Sequence, residues 1–213
     1  MYDKSKTFLY SWCNSPSLNN MKTPPVFYCQ LDYADRPYPG PGGRGTIADN
    51  GCGPCCASMV AENLTDASFP PWEACRMAIE CGAREKPGTD LYIFSPVFAQ
   101  AFGFSLQVTE DAEEAFRFLR EKRGLVIANT YGDRPEDGWI GVFSDSGHYI
   151  VLAGIEGNTV RVWDPMYRPG RFDIPGRKGK VRMEGNEAFA DASVIREDCM
   201  HRPFFLFGCH QAD

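Results

Sequence analysis

Asn50-Gly51-Cys52-Gly53-Pro54-Cys55-Cys56-Ala57 brings a cysteine to the threshold of a helix. Pro54 fits a first helical turn, where its missing N–H is no loss. Ala57, Met59, Val60, Ala61 and Leu64 continue as good helix formers with an apolar face. A thiol placed there meets free backbone N–H groups and the positive end of the helix dipole, and both favour the thiolate. Such a thiolate attacks acyl carbons if a histidine and an acid stand beside it. Two other readings attach to the same residues. Cys52-Gly53-Pro54-Cys55 spells the C-x-x-C of a thioredoxin-type redox pair. Small cysteines on a core helix are also commonly inert, or belong to a zinc site. Cys199-x-His201 and Cys209-His210 would be the zinc partners, and neither has a usual structural-zinc spacing.

The base and the acid must come from elsewhere in the chain, and a hairpin supplies them. His148-Tyr149-Ile150-Val151-Leu152-Ala153 and Thr159-Val160-Arg161-Val162-Trp163 read as strands around a turn at Glu156-Gly157-Asn158. His148 and Asp164 are centred on Glu156. The pairing of an antiparallel hairpin therefore brings them together, to within a residue or two of register. Asp164 would accept from one imidazole nitrogen and leave the other for a thiol. His201 and His210 lie in a ragged C-terminal region and read as solvated. An oxyanion formed by thiolate attack needs donors. The Cys52 backbone N–H is one, and Gln30, at the end of an expected strand Val26–Leu31, is the candidate for the other.

The elements around these residues follow in order. Residues 1–25 read as an irregular N-terminal arm. A loop rich in proline and glycine, Asp35 to Gly45, leads into the Cys52 turn, and its length suggests a function. Helices are expected from Cys52 to about Leu64, from a Ser68 cap to Gly82, from Thr89 or Asp90 to Gly103, and over Ala112–Arg123 with Asp111 as cap and Gly124 as stop. Phe104–Val108, Leu125–Asn129 and Phe204–Phe207 read as further strands, and residues 166–200 as mostly loop. Helices early and strands late indicate an α+β fold, with 26–213 as a single domain.

Composition narrows the function. The 213 residues carry 22 basic and 28 acidic side chains, a net charge of −6, which argues against nucleic acid as partner. The cluster Arg171, Arg177, Lys178, Lys180 and Arg182 is broken by glycines and a proline and reads as a solvated loop. No apolar run has the length of a membrane span. No signal-peptide pattern opens the chain, so a cytoplasmic protein is expected. Nine cysteines, odd in number and irregular in spacing, do not form a secreted disulfide framework.

Gln30-Leu31-Asp32-Tyr33, Gly51-Cys52-Gly53-Pro54, Gly147-His148-Tyr149 and Asp164-Pro165, in that order, resemble the bacteriocin-processing (double-glycine leader) peptidases of the papain-like cysteine peptidase superfamily. The resemblance spans about Gln30 to Pro165. It implies Cys52 as nucleophile, His148 as base, Asp164 as its orienter and Gln30 as oxyanion donor. It also implies a papain-like fold, with the nucleophile helix packed against an antiparallel sheet that carries histidine and aspartate. The expected activity is hydrolysis of a peptide or amide bond through an acyl-enzyme on Cys52, with no cofactor. The rivals are a thiol-disulfide oxidoreductase using Cys52 and Cys55, and a peptide-binding module of the same fold without turnover.

Overall fold

The structure is a computed structural model and describes residues 22–209. The expected arm over 1–25 lies outside the described residues except for 22–25, and His210 lies outside them too. Short helix α1 (Ile47–Asn50) runs through Gly51 into α2 (Cys52–Leu64), followed by α3 (Pro71–Glu80). A small hairpin, β1 (Arg84–Glu85) and β2 (Gly88–Thr89), precedes α4 (Leu91–Phe102). Then come β3 (Phe104–Thr109), α5 (Ala112–Arg120), β4 (Gly124–Thr130), β5 (His148–Glu156), β6 (Thr159–Trp163), β7 (Val181–Glu184), β8 (Glu187–Asp191), α6 (Ala192–Asp198) and β9 (Phe204–Cys209).

Seven strands form one antiparallel sheet in the order β3-β9-β4-β5-β6-β8-β7. Alternation along its strands builds two cores. Leu125, Ile127, Val151, Ala153, Trp163, Phe205 and Phe207 face helices α1 to α4. Val126, Ala128, Ile150, Leu152, Val162 and Leu206 face α5 and α6. This is the expected α+β architecture, with the cysteine helix laid on an antiparallel sheet. Every residue of α2 from Gly53 to Leu64 is buried, which explains its apolar character on all sides.

Local sequence sets the ends of the site-bearing elements. Thr46 and Asp49 form a reciprocal capping box that starts α1, a helix not expected from the sequence. Gly51 joins α1 to α2 in so tight a bend that a Cβ there would lie 2.5 Å from the Ile47 carbonyl oxygen. Asp90 caps α4 through the Tyr92 N–H, and Gly103 closes it in the left-handed conformation, as expected.

Other expectations are corrected. Val26–Leu31 is not a strand. The Val26 backbone is satisfied by a side chain, Asn63 of α2, which accepts from Val26 N and donates to Val26 O, and Gln30–Tyr33 is a 3-10 turn. The helix from Ala112 stops at Arg120, because Lys122 takes the left-handed position (φ 53°) and closes it with a bond to Leu119 O. Gly124 serves β4 instead, since a Cβ there would sit 1.9 Å from Phe207 O. Ser68 caps nothing, and α3 starts from Pro70. Residues 166–200 hold β7, β8 and α6, whose short segments carry too few periods to be read.

Candidate active site

Cys52 is the first residue of α2 and is half-buried. His148 opens β5, where it pairs with Thr130 of β4. Asp164 follows directly on β6. Both His148 and Asp164 are buried, at 3% and 1% exposure, so neither is a surface residue. His148 Nε2 lies 2.8 Å from Asp164 Oδ1, and the same imidazole interacts with the Cys52 sulfur. With Nε2 committed to the carboxylate, Nδ1 is the nitrogen left for the thiol.

The hairpin reaches this juxtaposition with a register two residues from the symmetric one, within the slip expected. Val151 pairs with Trp163, then a bulge at Ala153 shifts the ladder by one, so that Glu156 pairs with Thr159. Continued past Trp163, the register sets Asp164 opposite Ile150, diagonal to His148. Diagonal neighbours remain within reach of long side chains. Asp164 is turned back toward the imidazole by an Asx turn, in which Oδ1 also accepts from Met166 N at 2.8 Å.

One member of the cluster escaped the sequence reading. Arg171 Nε stands 2.9 Å from Asp164 Oδ2, with the arginine side chain only 9% exposed. This is a charge contact rather than an aligned hydrogen bond, since neither atom meets hydrogen-bond geometry. Arg171 also donates to Phe143 O. Arg177, likewise expected in solvent, is buried and donates to Gly141 O. The basic segment is therefore not wholly solvated: two of its arginines fold inward to tie residues 141–143 and Asp164 together. The other ends of residues 139–143 are held by Asp198 of α6, which accepts from Trp139 Nε1, Val142 N and Phe143 N. No sequence spacing marks Arg171, and its charge alone made solvent the default.

The electrostatics follow from these contacts. Burial opposes ionisation of Cys52, but the hydrogen bond and charge of His148, with the N–H groups of Tyr149 and Gly53, outweigh it and hold the thiol below its ordinary range. Burial likewise opposes a charged His148. The Asp164 carboxylate and the Cys52 sulfur override it and push the imidazole up to about 9. Against its own burial, Asp164 is held below the usual carboxylate range by His148, Arg171 and the Met166 N–H. These contacts favour the thiolate at Cys52 and the imidazolium at His148 over what burial alone would leave.

Gln30 is 1% exposed and lies between the two halves of the site. Its N–H donates to Pro165 O, next to Asp164, and its Nε2 donates to Ala48 O in α1, just before the Cys52 turn (both 2.7 Å). The Ala48 carbonyl fixes which end of the amide is the donor, and Nε2 keeps a second proton. Oε1 is buried without a partner.

The neighbouring thiols differ. Cys55 and Cys56 are fully buried and pushed well above the thiol range by that burial. The wholly antiparallel sheet has none of the βαβ context of a thioredoxin-type pair. His201 is exposed, as expected. Among the described residues no group of three His, Cys, Asp or Glu side chains is placed to hold a metal ion. Among them, too, no helix is long and apolar enough to cross a membrane.

Comparison with known proteins adds the fold. No family model matches this chain, and no curated protein matches it. Solved structures do. A Bacillus anthracis protein described as a C39-like peptidase aligns over 91% of this chain and 98% of its own, at 12% identity and a TM-score of 0.53. The peptidase domain of Streptococcus ComA, a bi-functional ABC transporter involved in a quorum-sensing pathway, aligns over 76% of this chain and 93% of its own, at 14% identity and a TM-score of 0.50. The expected likeness to the bacteriocin-processing peptidases is thus present in three dimensions, and the chain has the papain-like α+β fold of C39 peptidase domains.

Proposed function

We propose that this chain is a cysteine peptidase or related thiol hydrolase, an enzyme cleaving a peptide or amide bond through an acyl-enzyme on Cys52, with residues 26–213 as one catalytic domain. The observation that carries the reading is the continuous chain of contacts from the Cys52 sulfur through His148 to buried Asp164. In this reading the thiolate adds to the carbonyl carbon. The oxyanion is received by the Cys52 N–H, which has no intrahelical acceptor at the first position of α2, and by Gln30 Nε2. The imidazolium gives its proton to the departing amine, leaving a thioester. The neutral imidazole then takes a proton from water, whose hydroxide adds to the thioester carbonyl and expels the thiolate, which releases the acid and restores the ion pair. Asp164 stays ionised and keeps the ring oriented throughout. The groups named need no cofactor.

Incubating the protein with a mixed peptide pool and mapping new termini by mass spectrometry tests this. Termini that appear with the wild type and not with Cys52→Ala are expected. Their absence, together with reduction of a disulfide-bridged peptide that depends on Cys55, would favour the redox reading. Peptide binding without any turnover would favour a binding module.

Two further results are expected. Gln30→Ala should lower kcat about a hundredfold and change KM little, since an oxyanion donor acts on the transition state. Equal turnover by the variant removes Gln30 from the site. The kcat/KM profile should be bell-shaped. Its acid limb reports loss of the Cys52 proton, below the ordinary thiol range, and its alkaline limb reports loss of the imidazolium proton near pH 9. An alkaline limb near the value of a free histidine would contradict the Asp164 pairing.

A further inference from the structure

Arg202 stands at the same end of the sheet as His148, and the chemistry above makes no use of it. It precedes β9, which lies beside β4, where Ala128 pairs with Phe204 and Thr130 with His148. In the order β9-β4-β5, Arg202 is two strand spacings from His148, about 10 Å. Tyr149 of β5 packs against the core on the α2 side of the sheet. The Arg202 guanidinium lies 4.4 Å over the Tyr131 ring. Tyr149, which pairs with Asn129, lies within electrostatic reach of both Cys52 and Arg202.

Arg202 is held but not neutralised. Its Nε is buried without an acceptor, and no carboxylate pairs with it among the described residues. The acid that also reaches Tyr149, Asp90, is occupied in capping α4 through the Tyr92 N–H at 2.8 Å. A guanidinium stacked on an aromatic ring with a desolvated, unpaired N–H is costly unless an anion meets it, and carboxylates fit its fork.

The path of a substrate points the same way. The imidazolium protonates the leaving amine, so the leaving portion must run beside His148. On one side of His148 the way is closed by buried Asp164 and Arg171. On the other lie the half-buried Tyr131, Tyr149 and Arg202. An extended peptide advances about 3.3 Å per residue, so about two to three residues span the 10 Å. We propose that Arg202 anchors a subsite for a carboxylate on the leaving portion of the substrate, two to three residues beyond the scissile bond. The proposal rests on the hydrolase reading for its geometry. The carboxylate comes either from an acidic side chain or from a chain terminus.

The test uses binding as well as turnover, so that the two readings fail separately. Short peptides enter in three forms: a free terminal carboxylate, its amide, and an amide with glutamate at the last position. Their affinities for Cys52→Ala protein are measured by calorimetry, and their placement beyond the cut is varied in substrates of the active protein. The acid forms should bind about tenfold to a hundredfold tighter than the neutral amide. The acid-to-amide ratio should fall toward one in Arg202→Gln and be partly kept in Arg202→Lys. A preference for the terminal acid alone, or for glutamate as well, identifies the source. A ratio near one in the Cys52→Ala protein, or one that Arg202→Gln leaves unchanged, overturns the subsite even if peptides are cleaved. An Arg202-dependent acid preference without any cleavage keeps the subsite and counts against the hydrolase.

Discussion

His148→Ala is expected to lower kcat/KM by about ten-thousandfold or more on any amide the wild-type protein hydrolyses. His148 supplies the hydrogen bond and the charge that hold the Cys52 thiol below its ordinary range. Without it only the N–H groups of Tyr149 and Gly53 oppose burial, and the neutral thiol is a poor nucleophile at neutral pH. The proton for the leaving amine is lost as well. The fold should persist. The β4–β5 ladder at Thr130 is made by backbone, and Asp164 keeps Arg171 and the Met166 N–H as partners. Circular dichroism and a urea melt alongside the kinetics separate the two effects. Wild-type rates in a folded His148→Ala protein would show that the imidazole is not the base.

Asp164 is the second position of large effect, and two substitutions there should behave differently. Asp164→Asn keeps the shape and loses the charge, so it should lower kcat about ten-thousandfold, as loss of the orienting carboxylate does in serine triads. Removing the charge that raises the imidazole should also move the alkaline limb of the pH profile down from about 9. Asp164→Ala does more damage. It leaves the Arg171 guanidinium with neither the charge nor an acceptor oxygen in a buried setting, and breaking such a pair costs about 3–5 kcal/mol. A lowered urea midpoint is therefore expected for the alanine variant in addition to lost activity. An Asp164→Asn protein with near-normal kcat and an unmoved alkaline limb would mean that the ring is oriented by something else.

The sequence carried the site better than it carried the connections. Cys52, Pro54 and the apolar run to Leu64 announced their helix because capping, propensity and periodicity agree there. The two strands of the hairpin were legible from their β-branched residues and the Glu156-Gly157-Asn158 turn. The bulge at Ala153 was not, because one extra residue leaves no mark in an apolar strand. Val26–Leu31 has the composition of a strand, yet its partner is the side chain of Asn63, a long-range choice that local pattern does not encode. Arg171 illustrates the same limit. An arginine among glycines and charged residues reads as solvated, and only the fold reveals the buried carboxylate it meets. Gln30 is proposed as a glutamine at the end of an expected strand upstream of Cys52, and its order before cysteine, histidine and aspartate is part of the resemblance. The 3-10 turn and the Ala48 carbonyl that hold it were not visible.

Alkylation of the folded, reduced protein with iodoacetamide tests the central claim most directly. At about pH 6 a thiol reacts only as far as it is ionised. Cys29 and Cys81 are pushed up chiefly by burial, and Cys55, Cys56 and Cys199 further still. Among these six, Cys52 alone is held down, by His148 and two backbone N–H groups. Site-resolved mass spectrometry should therefore show Cys52 modified first among these six, about a hundredfold faster than the half-buried Cys29 and Cys81. That advantage should largely vanish in His148→Ala. Labelling of Cys52 no faster than of Cys29 and Cys81, or a fast rate indifferent to His148→Ala, would contradict the thiolate–imidazolium pair on which the account depends.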